Sequence, residues 1–335
     1  MIGKDVSLRA FNTFGVDVAA AEFAPFRSVQ DLRRALAAAS YAPLILGGGS
    51  NLLLTRDLDR TVLHNEIAGI EVMAESARHV DIQVGSGVNW HELVMWAVDH
   101  DYGGIENLAL IPGKVGAAPI QNIGAYGVEL EEVFQSLATV DLGTTETVGF
   151  SRDDCRFGYR DSVFKQEAKG RYCITSVNLR LSKPPHEIHD AYGAIRETLA
   201  RQEISRPGIR DICNAVIQIR SSKLPDPAQI GNSGSFFKNP VIPEAQWQAL
   251  VEAFPTLVSY PDKEGYYKIP AGWLIDQCGW KGKRFGNVGC YAKQALVIVN
   301  YGGASGQEIY DHAMRVQASV EERFGIVLAP EVNIL

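Results

Sequence analysis

At 335 residues, the chain is long enough that two or three domains are expected rather than one hydrophobic core. Its formal charge of −7 excludes the extended basic face of a nucleic-acid-binding protein, although a few local lysines and arginines could still bind a small anion. Five widely spaced cysteines without a C-x-x-C pair favour a reduced protein over a disulfide scaffold or a zinc site.

The N-terminal residues lack the apolar region of a secretion signal, and no stretch is long enough to span a bilayer, so we expect a cytoplasmic protein.

The first elements combine a helix with a strand that runs into glycines. Residues 28–40 predict a helix with Ser28 as N-cap, and residues 43–46 predict a short strand before Gly47-Gly48-Gly49-Ser50-Asn51. Three leucines (52–54) follow as a further strand, so this loop does not fit the dinucleotide fold, in which a helix follows the glycines.

A second glycine loop follows an alternating strand. Val80, Ile82 and Val84 alternate with polar residues, which predicts a half-buried strand ending at residues 85–87 (GSG). A helix is predicted from Asn89 to His100, with His91 on its exposed face.

The most informative stretch is IPGKVGAAPIQNIGAYG at residues 111–127, which carries four glycines among small and apolar residues. Glycine permits positive φ and a close approach of backbone to a ligand, which indicates main chain against a flat or anionic molecule. A buried bend between strands explains the glycines equally well at this point. The apolar residues exclude a flexible linker.

The remaining elements alternate helices and strands without an internal repeat. Strands are predicted between about residues 133 and 182, and residues 205–211 could form a linker. A capping box at Ser305 and Glu308 begins a helix that ends at Gly325. Helices are also predicted at 190–203, 212–220, 243–254 and 271–279, and a buried strand at 294–300.

Three residues outside the glycine loops could carry chemistry. Ser235 lies in a glycine-flanked turn, GNSGSFFKNP, where it could act as a nucleophile, a general acid or an ordinary turn serine. Arg160 could bind a carboxylate through two parallel hydrogen bonds, or could be a surface arginine paired with Asp161. Glu331 is a lone acid in an apolar strand pattern, which places it either at an exposed edge or in a site.

Taken together, these segments resemble the UDP-N-acetylenolpyruvoylglucosamine reductases, the MurB flavoenzymes of peptidoglycan precursor synthesis. Nine motifs occur in the order of that family and cover nearly the whole chain. They are NTFG (12–15), ILGGGSN (45–51), LIPGKVGAAPIQNIGAYG (110–127), CRFGYRDSVFK (155–165), KLPDP (223–227), GSFFKNP (234–240), AGWLIDQCG (271–279), KQALV (293–297) and PEV (330–332).

The resemblance implies an α+β protein with a two-subdomain FAD-binding fold of the PCMH/VAO type, followed by a C-terminal α+β substrate domain. The implied domains are residues 1–66 and 67–215 for FAD, with residues 326–335 returning to the first of them, and residues 216–325 for the UDP-sugar. It also implies a monomer without a nucleic-acid or membrane partner. The tyrosine at position 192 resembles the type I form of the family.

The implied cofactors are non-covalent FAD and NADPH as hydride donor, without a metal. The implied substrate is UDP-N-acetylglucosamine enolpyruvate, which would receive hydride from the reduced flavin at C3 and a proton from Ser235 at C2. The resemblance implies that Arg160 and Glu331 would stabilise the charge that develops on the carboxylate. The implied cofactor-binding residues are Gly47, Gly48, Gly49, Ser50, Asn51, Pro112, Gly113, Gly116, Gln121, Asn122, Gly124 and Ala125. The implied substrate-binding residues are Tyr159, Tyr192, Lys223, Asn239, Tyr260, Lys268 and Gln294.

The chain departs from the family at one position, and two rival functions use the same flavin or binding scaffold. Family members often carry a basic residue two positions after the glutamate, where this chain has Asn333. An oxidase on the same flavin scaffold would not need the serine of GSFFKNP. A non-catalytic binding module could lose Ser235 or Glu331, and both are present.

Overall fold

The computed structural model describes residues 2–335. Its α-helices are α1 (Val29–Ala38), α2 (Trp90–Asp99), α3 (Arg152–Cys155), α4 (Gly193–Arg201), α5 (Ile209–Lys223), α6 (Glu244–Ala253), α7 (Ala271–Gln277) and α8 (Gly306–Phe324). Its strands are β1 (Gly3–Ser7), β2 (Ala19–Phe26), β3 (Pro43–Leu46), β4 (Leu52–Leu53), β5 (Leu58–Asn65), β6 (Ile70–Glu75), β7 (His79–Gly85), β8 (Gly124–Ala125), β9 (Val128–Glu129), β10 (Phe134–Asp141), β11 (Thr147–Ser151), β12 (Tyr172–Ser182), β13 (Gly231–Ser235), β14 (Val241–Pro243), β15 (Tyr260–Pro261), β16 (Tyr266–Lys268), β17 (Arg284–Phe285), β18 (Val288–Cys290), β19 (Val297–Asn300) and β20 (Asn333–Ile334). The mixture of helices and strands agrees with the predicted α+β class.

The predicted helix starts are confirmed where a side chain caps the first turn. The Ser28 hydroxyl accepts a hydrogen bond from the third residue of α1, and the Asn89 side chain accepts from two amides of α2. Ser305 and Glu308 form the predicted reciprocal capping box of α8, which ends at Gly325 with a φ of +64°. These caps satisfy amides that have no partner within the helix, which is why their sequence signature is reliable.

Three element boundaries differ from the prediction. Helix α4 begins at Gly193 rather than at residue 190, with Tyr192 at its N-cap. Helix α5 already begins at Ile209, so the second half of the predicted linker 205–211 is helical. The predicted strand 294–300 starts at Val297, because the Val297 amide donates to the Gln294 carbonyl in a turn. All three differences lie at element ends, where local sequence defines the boundary only to within a few residues.

The chain divides into two compact units. The first unit comprises the N-terminal residues through Val6, Ala20–Gly48 and Asp59–Ser222, and the second comprises Ser7–Ala19, Gly49–Leu58 and Lys223–Leu335. The division into three domains stays a prediction.

The first unit contains two sheets. Strands β1-β2-β5-β3 form one sheet, in which β3 runs parallel to β5. Strands β11-β10-β12-β7-β6 form an antiparallel sheet. The predicted alternation in β7 is confirmed, because Val80, Ile82 and Val84 are fully buried and pack in one core with residues of α2 and α5.

The second unit is built on smaller sheets. Strands β13-β19-β18-β17 form an antiparallel sheet, and α8 packs on β18, β19 and α7. Strands β14-β16-β15 form a three-stranded antiparallel sheet. The last strand, β20, pairs in parallel with β4, so Asn333 lies opposite Leu52 just after the first glycine loop. None of the helices in the described residues combines the length and apolar character needed to cross a bilayer.

Candidate active site

Three glycine-rich loops of the first unit pack directly against one another. A β-carbon built on Gly48 would lie 3.2 Å from the Gly113 backbone, and one on Gly116 would lie 2.6 Å from the Ser86 β-carbon. Three backbone hydrogen bonds of 2.9–3.0 Å join residues 86–90 to residues 113–116. The close approach of loop to loop therefore accounts for glycine at these positions.

The same loops offer unused hydrogen-bond donors. Gly48, Gly113 and Lys114 are half-buried, and within the described residues none of their amides donates to another protein group. Clustered amides of this kind form a nest suited to a phosphate oxygen. The donors fit the diphosphate of FAD, and Gly113, with a φ of +117°, turns the chain at the centre of the cluster. Lys114 was not among the sequence-based candidates, because single lysines are common on surfaces.

His91 differs from the prediction and supports this loop. The exposed position expected for it is wrong, since its ring is half-buried and its Nδ1 accepts a hydrogen bond of 3.2 Å from the Leu110 amide. Leu110 has a φ of +56°, so the ring stabilises an uncommon backbone conformation just before the glycine stretch. Burial lowers the pKa of His91, which favours the neutral ring that can accept this bond.

Arg160 is held against the second half of the glycine stretch. Its guanidinium donates to the backbone carbonyls of Asn122 and Gly124. The Asp161 carboxylate accepts from Gln166 instead, so these contacts do not form the surface arginine–aspartate pair left open by the sequence. The backbone conformation is also unusual, since Arg160 has a φ of +54°. Two backbone carbonyls of the glycine stretch thus hold the guanidinium in place.

Glu129 lies beside the same cluster. Its carboxylate accepts a hydrogen bond of 2.8 Å from the Asn122 side chain. Burial raises the pKa of Glu129, while the neighbouring Arg160 charge opposes that rise. Strand β8, which contains Gly124 and Ala125, pairs with β9 at this point.

Two tyrosines meet at the end of the glycine stretch. The rings of Tyr126 and Tyr192 pack edge to face with centroids 5.1 Å apart, and half of Tyr192 is exposed. The Tyr126 hydroxyl interacts with the guanidinium of Arg220, and burial lowers the pKa of that guanidinium. Tyr159, also half exposed, has its ring centroid 5.8 Å from the Arg160 guanidinium carbon. Arg220 and Tyr126 were missed by sequence reasoning, since neither carries a local signal.

In the second unit, the end of the first glycine loop is tied to the C-terminal residues. The Asn51 side chain donates to the Glu331 carbonyl at 3.3 Å. Both the backbone and the side-chain amide of Asn333 donate to the Asn51 carbonyl, at 3.1 and 3.0 Å. A β-carbon on Gly49 would lie 2.0 Å from the Phe11 carbonyl oxygen, so only glycine fits there. The loop therefore fixes the segment that carries Glu331.

Ser235 and Glu331 lie on neighbouring antiparallel segments of the second unit. Ser235 is half-buried at the end of β13, opposite Val297, and follows Gly234 with a φ of +72°. The Phe236 carbonyl accepts a 2.8 Å hydrogen bond from the Glu331 amide. Glu331 is thus hydrogen-bonded to the residue that follows Ser235. Pairing of the two segments brings these candidate catalytic residues together, although 96 positions (331 − 235) separate them in sequence.

Two other candidates share one face of the three-stranded sheet. Tyr260 and Lys268 are directly opposite each other in β15 and β16, and their row continues to Val241 in β14. Directly opposed residues project from the same side of a sheet. Lys268 forms an ion pair of 3.1 Å with Asp262, and half of Tyr260 is exposed. An aromatic ring and a cation are therefore displayed side by side.

The remaining candidates occupy different local environments. The Asn239 side chain accepts from the Ala271 amide at 2.9 Å and so caps α7. A β-carbon on Gly272 would lie 2.9 Å from the Gln294 side-chain oxygen. Lys223 is exposed at the end of α5. Gln121 ends the 3-10 helix Pro119–Gln121, Pro112 is exposed before Gly113, and Ser50 lies in a turn.

Comparison with known proteins identifies the families to which two parts of the chain are similar. Residues 21–150 match the family described as FAD binding domain, and residues 226–335 match the C-terminal domain of UDP-N-acetylenolpyruvoylglucosamine reductase. The fold is similar to that of UDP-N-acetylenolpyruvylglucosamine reductase from Thermus caldophilus, with a TM-score of 0.68 at 23% identity over 100% of this chain and 98% of that one. The chain is thus a flavoprotein with an FAD-binding domain.

Two relatives define its family. The chain is 46% identical to UDP-N-acetylenolpyruvoylglucosamine reductase from Flavobacterium johnsoniae over 100% of this chain and 99% of the relative. It is 48% identical to the protein of the same name from Pseudomonas aeruginosa over 98% of this chain and 97% of the relative. The chain belongs to the UDP-N-acetylenolpyruvoylglucosamine reductase family, and the predicted family and enzyme class are confirmed.

Proposed function

We propose that this protein uses NADPH to reduce UDP-N-acetylglucosamine enolpyruvate to UDP-N-acetylmuramate, a step of peptidoglycan precursor synthesis. The observation that carries the proposal is full-length identity of 46–48% to relatives named for this reductase activity. Non-covalently bound FAD would carry hydride from NADPH to the enolpyruvyl group. The nest at Gly48, Gly113 and Lys114 would hold a phosphate of that cofactor.

Arg160 would bind the carboxylate of the enolpyruvyl group. When a hydride forms the new bond at C3, the electron pair of the C2–C3 double bond moves onto C2 and the carboxylate. A guanidinium matches the two carboxylate oxygens and stabilises this charge without having to reorganise. The hydrogen bonds from Arg160 to the carbonyls of Asn122 and Gly124 support this role, because they fix the guanidinium before substrate binds.

Ser235 would supply the proton that completes the reaction. Its O–H bond breaks as the C2–H bond forms, and the serine oxygen is later reprotonated from solvent. An alkyl hydroxyl is a weak acid, so it can donate only to a strongly basic carbon and only when it is well oriented. The position of Ser235 at the end of β13 supports the proposal, since the strand restricts the backbone.

Glu331 would act beside Ser235 and would help to stabilise the negative charge that develops on the substrate carboxylate. Its amide is hydrogen-bonded to the Phe236 carbonyl, so the two side chains are carried by paired segments. We infer that the Glu331 carboxyl donates a hydrogen bond to the substrate carboxylate or polarises it. This role requires that the substrate reach the β13 end of the second unit.

The substrate itself offers anionic and aromatic groups to the other candidates. Tyr260 and Lys268, side by side on one sheet face, would bind the uridine and diphosphate. Tyr192, half exposed, would close over the substrate. We assign the remaining binding contacts to Tyr159, Lys223, Asn239 and Gln294.

An anaerobic absorption spectrum tests the proposal. The purified protein is recorded alone, after NADPH, and after UDP-N-acetylglucosamine enolpyruvate. Loss of the flavin absorbance with NADPH and its return only with the sugar is the expected result. A flavin that ignores the sugar but recovers its absorbance in air would contradict the proposal and favour an oxidase. A protein that cannot bind FAD would contradict both.

A further inference from the structure

Asn107 joins two parts of the first unit through a single side-chain nitrogen. It lies in the 3-10 helix Glu106–Leu108 and is 1% exposed. Its amide nitrogen donates to the Tyr126 carbonyl at 3.2 Å and to the His189 carbonyl at 2.9 Å. The first acceptor belongs to the glycine stretch, and the second belongs to residues 183–192, which connect β12 to α4 and are called the strap below.

Only a carboxamide suits this position. Both partners are carbonyl oxygens, so the group between them must supply two N–H donors and cannot be an acceptor. The Asn107 oxygen is buried and finds no partner among the described residues. A buried acceptor without a partner is costly, which indicates that the side chain is retained for its two donated hydrogen bonds.

The strap is held at further points along its length. The His186 ring lies between the Ser182 hydroxyl, at 2.8 Å, and the Asp101 carboxylate, at 3.2 Å. At the far end, the Tyr192 ring packs against Tyr126. Asn107 thus contacts the backbone of Tyr126 on one side and, on the other, the backbone three residues before Tyr192. It therefore joins the two tyrosine-bearing segments through their backbones, next to the contact between the two rings.

We propose that Asn107 is a positioning residue for Tyr192, fixing where this half-exposed ring stands when the sugar nucleotide binds. The inference rests on the proposed function, in which Tyr192 contacts the substrate. Half of the Tyr192 ring is exposed, so its position depends on the strap that carries it as well as on its contact with Tyr126. The hydrogen bond to His189 limits the strap to one arrangement, so less ordering is required on binding.

A double-mutant cycle tests this role. Asn107→Leu, which keeps the approximate volume but removes both donors, is compared with Tyr192→Ala and with the double variant. We expect Asn107→Leu to raise KM for the enolpyruvyl sugar about tenfold while NADPH reduces the flavin at the parent rate. In the Tyr192→Ala background, the same substitution should leave KM nearly unchanged. Hydrogen exchange of residues 187–192 should quicken in Asn107→Leu.

Thr139→Val is the matched control. Thr139 is fully buried in β10 and donates one hydrogen bond of 2.8 Å to a carbonyl, that of Val148. Its loss should lower Tm without changing KM. If Asn107→Leu does not fold, Asn107→Ala, which also removes both donors, takes its place with the same expectations.

The outcomes separate this inference from the function on which it rests. If Tyr192→Ala raises KM and the Asn107 variant does not, or if their effects are additive, the positioning role is wrong while the proposed function stands. If the parent protein does not turn over the sugar, or Tyr192→Ala leaves KM unchanged, the substrate role of Tyr192 is wrong and the inference falls with it.

Discussion

The candidate residues of the two units are held in place by different means. In the first unit, glycine loops from three distant parts of the sequence pack on one another, and Arg160 donates to their backbone carbonyls. In the second unit, Ser235 and Glu331 lie on segments joined by strand-type hydrogen bonds. Packed loops leave amides free to bind anions, whereas strand pairing fixes the backbone of a reacting side chain.

The difference suggests a division of labour. The groups proposed to hold the cofactor phosphate and the enolpyruvyl carboxylate belong to the first unit. The proposed proton donor Ser235, with Glu331 beside it, and the residues proposed to bind the uridine and diphosphate belong to the second. Changes in the second unit should then affect the chemistry of the sugar alone. Changes to the first unit's loops should affect cofactor binding and stability as well.

The largest effect is expected for Ser235→Ala. A well-placed general acid contributes about 10²–10⁴-fold, so turnover of the enolpyruvyl sugar should fall by about that factor. NADPH oxidation in the presence of sugar measures it. Ser233→Ala is the matched control, since the Ser233 hydroxyl lies in the same strand, is buried and finds no partner among the described residues. Equal losses in both variants would contradict the assigned role of Ser235.

Arg160→Lys should rank next. Lysine keeps the charge but cannot pair with both carboxylate oxygens, so kcat with the sugar should fall by about 10²–10³-fold. The rate of flavin reduction by NADPH should remain close to that of the parent. Arg156→Lys serves as control, because Arg156 lies in the same segment and pairs with Glu167 at the exposed surface. Comparable losses in the two variants would show that Arg160 acts only on folding.

Acidification should lower the stability of the second unit through protonation of His312. This ring is fully buried between Trp280 and Phe285, and burial, together with the Arg315 charge, lowers its pKa to about 4. Its pKa in the unfolded chain is about 6.5, so the unfolded state binds the proton first and stability falls as pH drops from about 6.5 towards 4. The full effect is about 3 kcal/mol.

The check is a urea titration across that pH range with the parent and with His312→Phe. The variant should lose less stability than the parent on acidification, whatever its stability at pH 7. Parallel curves for the two proteins would contradict a buried neutral histidine.

Gly116→Ala should destabilise the first unit. The new β-carbon would meet Ser86 at 2.6 Å, and overpacking of this kind costs about 1–3 kcal/mol. FAD affinity should fall with it, because the neighbouring loops supply the free amides. Gly193→Ala is the control, since its β-carbon would meet no atom within 4 Å and a helix start accepts alanine. Thermal unfolding and FAD titration of both variants would show whether the loops tolerate a methyl group.

Asn333→Ala should have the smallest effect. It removes one exposed side-chain hydrogen bond to the Asn51 carbonyl and leaves the backbone bond in place, so about 1 kcal/mol or less is expected. Thermal unfolding measures it. A large loss of activity without loss of stability would instead indicate that position 333 acts on the flavin.

Local signals in the sequence predicted much of the fold. Caps at Ser28, Asn89 and Ser305 marked helix starts because each satisfies its own first turn. The alternation of Val80, Ile82 and Val84 marked a strand because one face is buried. Both signals lie within a few residues, where side chain and backbone interact directly.

The contacts that build the candidate site lie beyond such signals. Gly48 meets Gly113, and Ser86 meets Gly116, across long stretches of chain. His91 was expected on the exposed face of its helix, whereas its ring accepts a hydrogen bond from the amide of Leu110 in a following loop. The sequence indicated that these glycines have an unusual backbone role. It did not indicate that the glycine loops pack against one another.

The most direct test of the division of labour is a rapid-mixing experiment on Ser235→Ala in which the two half-reactions are separated. The oxidised variant is mixed with NADPH, and the reduced variant is then mixed with the enolpyruvyl sugar, while flavin absorbance is followed. We predict reduction at the parent rate and reoxidation by the sugar slowed by at least about 100-fold. Equal slowing of both steps, or unchanged reoxidation, would contradict the account.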